Sequence, residues 1–227
     1  FNQLNAEFNL AYEQNKPFEI CTKLSELIDL HMDFAFSLMA EMQYAEASQN
    51  FIAASENADT FTQYYQQICE DKTFGDNSDE LSKLKTISAD IVSNQLTAVA
   101  FSQYCSALHN NTNRNPGVAA GFFEQAEKSF KELAGKNGDL THTILAEYCR
   151  ALRLYSEALE NFYRASFSNA KAKCQQAKII IEKVIEKDLE ALKDLEEYKD
   201  FYTSRVNLFK ADYQAIKSYY FISDARY

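Results

Sequence analysis

The 227-residue chain has no tryptophan, only two prolines and only five glycines. Sheets and barrels need turn residues every few positions, so this scarcity excludes a β-rich fold and predicts long helices with few breaks. There are three histidines, His31, His109 and His142, and none falls in a His-x-x-x-His or Glu-x-x-His pattern. A helical zinc or di-iron site therefore has no local support. The phosphate-cradling patterns G-x-x-x-x-G-K-[ST] and G-x-G-x-x-G are missing, and so is the nucleophile elbow G-x-S-x-G. No run of 18 apolar residues predicts a transmembrane helix. The five cysteines, at positions 21, 69, 105, 149 and 174, show no CxxC spacing. Their odd number and helical context predict buried free thiols in a reducing compartment, and hence a cytoplasmic protein.

Positive charge is scarce in the first part of the chain. Residues 1–100 hold 16 Asp/Glu against 5 Lys/Arg, a net −11, whereas residues 101–227 hold 17 against 18, a net +1. An acidic surface repels phosphate backbones and anionic lipid, so nucleic acid and membrane partners are disfavoured. A basic partner would be steered toward it.

What the chain does contain is 46% apolar residues, including 17 Phe and 14 Tyr, enough for a sizeable core of aromatic knobs. Periodicity predicts helices over about 2–15, 17 to the low forties, 44–57 and 61–68. A loop follows at 70–79, where Ser78 or Asp79 can cap the next helix. That helix runs to Leu108, and HNNTNRNPG (109–117) breaks it. Pro116 opens another helix, which ends in the glycines of 134–139. Further helices are predicted over 141–166, from Ala170 to about Leu195 with Ser168 or Asn169 as cap, and through Phe201–Tyr220. No Gly or Pro decides whether the last two are separate. Eight or nine antiparallel helices in one all-α domain result, with sub-boundaries at 70–79 and 109–117.

One stretch has an unusual stripe. In QYAEASQNFIAA, Tyr44, Ala47, Phe51 and Ala54 share a helix face, alternating bulky and small. Small residues there let a second helix approach to the short end of the 8–10 Å range. With Phe34, Ala35 and Leu38 on the preceding helix, residues 31–59 resemble one tetratricopeptide repeat (TPR). His31 stands where the family has an aromatic and Asp59 where it has proline. A partial second match lies at Gly121, Phe123, Ala126 and Phe130, with Leu133 at a position the family gives to Ala. The long helices, with AAGFFEQAEKSFKEL at their start, also resemble a BRO1-type helical domain, a membrane-associated scaffold. The TPR resemblance implies stacked hairpins, as an α-solenoid or an elongated bundle. It also implies an interaction scaffold, not an enzyme, that holds a partner's peptide or helix in a groove.

A basic stretch offers a candidate contact. Between Arg164 and Lys187 lie six basic residues and two acids. Arg164, Lys171, Lys173 and Lys178 are the candidate partner-binding residues, Lys171 and Lys178 being two turns apart on one face. Inward cations of this kind hold a peptide carboxylate in some TPR domains. The expected partner is a charged protein or peptide, or a second copy of the chain, and no cofactor is expected. The alternative reading is an enzyme or small-ligand carrier with a cavity between long helices.

Overall fold

The structure, a computed structural model, describes residues 1–70 and 79–226. Among them are eight α-helices and no strand, so the protein is all-α. The helices are α1 (Asn2–Glu13), α2 (Pro17–Ala40), α3 (Tyr44–Glu70), α4 (Asp79–Thr112), α5 (Pro116–Asn137), α6 (Leu140–Tyr163), α7 (Phe167–Lys183) and α8 (Lys199–Arg226). The chain divides into two compact units, Phe1–Cys105 and Ser106–Tyr227. The division falls inside α4, just ahead of the 109–117 segment. All of the predicted 70–79 loop except Glu70 and Asp79 lies outside the described residues.

Four links between helices share one geometry. In each, three residues join the helices, and the middle one, Asn15, Met42, Arg114 or Ala165, has a φ between 51° and 61°. The backbone bonds repeat as well. Met42 donates to the Met39 carbonyl and Gln43 to that of Leu38, and Ala165 and Ser166 likewise donate to Phe162 and Asn161. These paired bonds close the end of the first helix. The third link residue then takes the N-cap position, and its carbonyl accepts from the fourth residue onward: Ile20, Ala47, Ala119 or Ala170. So tight a link starts the second helix in contact with the end of the first, and the fourth residue points into the join. Three of the four are alanine, and all four are at most 1% exposed.

The same register continues along each second helix. Ala47, Phe51 and Ala54 on α3 correspond to Ala119, Phe123 and Ala126 on α5, and to Ala170, Cys174 and Ala177 on α7, all essentially fully buried. Two expectations are corrected here. The small residue preceding Phe123 is Ala119, not Gly121, around whose Cα nothing lies within 4 Å of an added Cβ. And Phe34 does not pack in the stripe: it is 46% exposed, its ring edge-on to Phe1, while Ala35 and Leu38 are buried.

In the first unit, α2 and α3 are antiparallel, His31 Nδ1 lying 2.9 Å from Asn50 Oδ1. Helix α4 runs parallel to α2: the contacts Asp29–Asn94 and Phe36–Phe101 are both 65 residues apart. The rings of Phe36, Phe51 and Phe101 join all three helices at centroid distances of 5.0–5.6 Å. Ser48 donates to the Ser102 carbonyl at 3.0 Å beside them.

The second unit repeats this arrangement with α6, α7 and α8. Helices α6 and α8 are parallel, since Tyr148 meets Asp212 and Tyr155 meets Tyr219, each 64 residues on. Helix α7 is antiparallel to both, with Tyr213 donating to Glu182 at 2.9 Å. Helix α5 packs antiparallel to α6 through Glu127–Arg153 and Phe130–His142.

Element boundaries differ from the periodic reading in four places. Helix α3 is continuous through Asn57, because Ala58 and Phe61 carry its buried stripe onward. Helix α4 continues through the Asn-rich segment to Thr112, where Asn110 bonds back to the Ser106 carbonyl at 2.8 Å. Helix α7 begins at Phe167 with Ser166 in the cap position, and Asn169 donates to the Ser166 hydroxyl. The last two helices are separate. After α7 the chain winds as a π-helix over Val184–Leu189 and as 3₁₀ turns over Glu190–Leu192 and Glu196–Tyr198. An α-helical step would aim Asp188 at the core, whereas the wider turn brings in Leu189 and lets Asp188 pair with Lys183 at 3.5 Å.

Two stability changes follow from the links. Ala47→Leu should overpack the α2–α3 join and destabilise the protein by roughly 1–3 kcal/mol in urea denaturation. Ala165 holds a left-handed backbone, so Ala165→Val should cost about 1–2 kcal/mol while Ala165→Gly is neutral or mildly stabilising.

Candidate functional site

The four basic candidates are largely engaged within the second unit. Arg164 pairs with Glu160 one turn back, and Lys171 with Asp224 of α8, where its ammonium also lies 5.9 Å from the Tyr220 ring centroid. Lys173 reaches Glu157 at 2.5 Å and ends a chain of alternating charge. That chain continues from Glu157 to Arg153 at 3.1 Å and from Arg153 to Glu127, which Lys131 pairs at 2.5 Å to form the other end. Arg153 Nε lies 3.5 Å from Glu127 Oε2 without hydrogen-bond geometry, so this last contact is an ion pair only. The chain ties α5, α6 and α7 together. Lys178 makes no ion pair among the described residues. Three of the four candidates are thus intramolecular clasps, with Lys178 the one unengaged among the described residues, and together they form no joint receptor for a carboxylate.

The remaining chemical groups are dispersed. His31 is half-buried against Asn50 and the Phe1 ring. His142 packs on Phe130, and its burial pulls its pKa down. His109 lies against Asn113 at the end of α4. All five cysteines are free, and all but Cys69 are buried. Burial pushes the Cys21 and Cys174 thiols up to about 12, and raises Cys149 as well, which removes thiolate character. No group of three or more metal-ligating side chains occurs among the described residues. No helix among them is long and apolar enough to cross a membrane.

One open concavity is built from the first unit alone. It lies between the parallel helices α2 and α4, and the sequence reading did not single it out. At the N-terminal end of these helices a hollow of about 460 Å³ is lined by Phe18, Glu19 and Thr22 of α2 and by Glu80, Lys83, Leu84 and Ile87 of α4. Ile87 also lines the adjoining hollow, of about 480 Å³, with Ser25, Asp29, Asp90, Ser93 and Asn94. The two form one groove, apolar at one end and polar at the other. Asn94 donates to Asp29 at 3.3 Å and orients it. Burial raises the Asp29 pKa, and Asp33 and Asp90 raise it further. The signal in the sequence is weak: Phe18, Thr22, Ser25 and Asp29 share a face only once α4 is known to flank it.

A second polar feature is buried instead of open. Asp212 of α8 accepts a hydrogen bond from the Tyr148 hydroxyl, and the Tyr148 ring stacks on Phe209 at 3.8 Å. Burial raises the Asp212 pKa and the Tyr148 bond partly offsets that. The pair locks α6 to α8.

Comparison with models of known protein families, with curated proteins and with solved structures gives no match to the chain.

The Asp212 lock makes stability depend on pH. Its raised pKa means that the folded chain holds this proton more tightly than the unfolded chain. Ionised Asp212 therefore detracts from stability above the folded-state pKa, and the loss fades as pH falls through that value toward 3.8, the ordinary one. Asp212→Asn keeps an acceptor for Tyr148 without the charge. It should gain stability over the parent at pH 7, and the gain should shrink as urea titrations move toward pH 4. Tyr148→Phe strips Asp212 of its donor and should cost roughly 1–3 kcal/mol at pH 7.

Proposed function

We propose that the chain is a protein-interaction scaffold of TPR-like αα-hairpins that receives a segment of a partner protein along the α2–α4 groove. The observation that carries this is the groove itself: two adjoining hollows, walled by parallel helices, with an apolar floor and polar groups facing solvent. Rigid helical walls pre-form such a surface, so an incoming segment meets little reorganisation cost. The recurring Ala register on α3, α5 and α7 supports the repeat reading, because it is the register of closely stacked hairpins. The scattered histidines and deactivated thiols favour binding over catalysis. The basic stretch on α7 is a poorer receiver, since three of its four candidates already have carboxylate partners.

Site-specific photo-cross-linking tests the location. A benzophenone side chain at the exposed Thr22 should give adducts with a partner protein from the native cell, and Ile87→Glu should abolish them. The same probe at Lys178 should give none. Adducts from Lys178 alone would overturn the groove in favour of α7, and adducts to this chain's own peptides would make the occupant a second copy.

A further inference from the structure

The groove has a chemical direction, and that direction selects its occupant. Its more apolar end is formed by Phe18, Leu84 and Ile87, with Glu19, Glu80 and Lys83 beside them and Glu19 paired to Lys16. The polar end carries Asp29 and Asp90, with Asp33 close enough to act on Asp29. None of these three carboxylates makes an ion pair among the described residues. The nearest cations are committed or distant in the groove: Lys23 is held by Glu7 at 2.8 Å and Glu26 at 3.0 Å, and Lys83 stands at the apolar end. The unit around the groove carries 16 acidic and 5 basic residues, so its field attracts cations over a longer range.

We propose that the segment seated in this groove is a basic peptide of a partner protein, with one apolar anchor and one or two Lys or Arg side chains about 10 Å further along. The proposal rests on the groove being the receiving surface. The spacing comes from α2, where Phe18 and Thr22 lie about two helical turns before Ser25 and Asp29. The anchor fills the hollow between Phe18 and Ile87. The cation lies between Asp29 and Asp90 and relieves the repulsion among three carboxylates, of which, among the described residues, only Asp29 receives a neutral donor, from Asn94. An acidic segment would add to that repulsion, and a neutral one would leave it in place.

The test uses the full chain and a random 12-residue peptide library displayed on phage, panned at low salt. The enriched peptides should carry Lys or Arg and an apolar residue, and synthetic copies should bind measurably by fluorescence anisotropy. Their affinity should fall roughly tenfold for the Asp29→Asn/Asp90→Asn double variant, and fall again as salt rises to physiological strength. The control Glu46→Gln on α3 should bind like the parent, and thermal melts should show all three folded. Enriched peptides that are neutral or acidic overturn the basic occupant. So do basic peptides that bind the double variant as well as the parent, and so does the absence of any enriched peptide. The Thr22 cross-link separates the two levels. If it forms with a neutral or acidic segment, the groove stands as the receiving surface and only its proposed selectivity falls. If neither enrichment nor Thr22 adducts occur, both readings fall together.

Discussion

The three-residue link with a left-handed middle residue is the constraint on which the rest of the fold depends. It turns the chain through a hairpin with every end carbonyl it can reach satisfied, and it starts the next helix already touching the last. From that starting point the fourth residue has room for little beyond a methyl group, and the eleventh is again held close. Ala47 and Ala54, Ala119 and Ala126, and Ala170 and Ala177 answer that demand, all within 0–1% exposure. The large side chains then sit between the alanines. Phe51, Phe123 and Cys174 fill the volume left beside each close approach. Only the 14–16 link, followed by Ile20, departs, and the α1–α2 pair that it joins is also the most exposed of the hairpins.

The positive φ at four non-glycine residues shows how strongly this geometry is imposed. Met42, Arg114 and Ala165 gain nothing from a left-handed backbone, and only Asn15 belongs to a residue type that adopts it readily. Among the described residues glycine occupies such a position once, at Gly138, where α5 ends against a differently built link capped by Asp139. The strain at each turn is therefore carried by the packing of the two helices it joins.

What was legible in the sequence was whatever depends on local periodicity. The helical content, the close-approach role of Ala47 and Ala54, and the opening of helices at Pro17 and Pro116 all rest on neighbours in the chain. What was not legible depends on partners far away. Ala170, Cys174 and Ala177 repeat the stripe of α3, but a cysteine in place of phenylalanine hides the match until the links are superimposed by their hydrogen bonds. Arg164, Lys171 and Lys173 read as a basic face because Asp224 lies 53 residues beyond Lys171 and Glu157 lies on another helix. The π-helical step at Val184–Leu189 is equally silent in composition, since it is set by which of Asp188 and Leu189 the core admits.

The uneven charge acquires a structural meaning from these same pairings. In the second unit many of the cations serve clasps: Lys173, Arg153 and Lys131 alternate with Glu157 and Glu127 across three helices, and Lys171 fastens α7 to α8. Part of its near-zero balance is a balance of partners. In the first unit, cations are too few to neutralise the acids; Lys16, just ahead of α2, serves Glu19, and Lys23 on α2 serves Glu7 and Glu26. The surplus carboxylates along α2 and α4 contribute little to holding the helices together, because that is done by Phe36, Phe51 and Phe101. Burial raises the Asp29 pKa, Asp33 and Asp90 raise it further, and Asn94 donates a hydrogen bond to its carboxylate. The basic segment proposed for this groove would supply the missing cation, so the charge split and the apolar hollow are accounted for by one occupant.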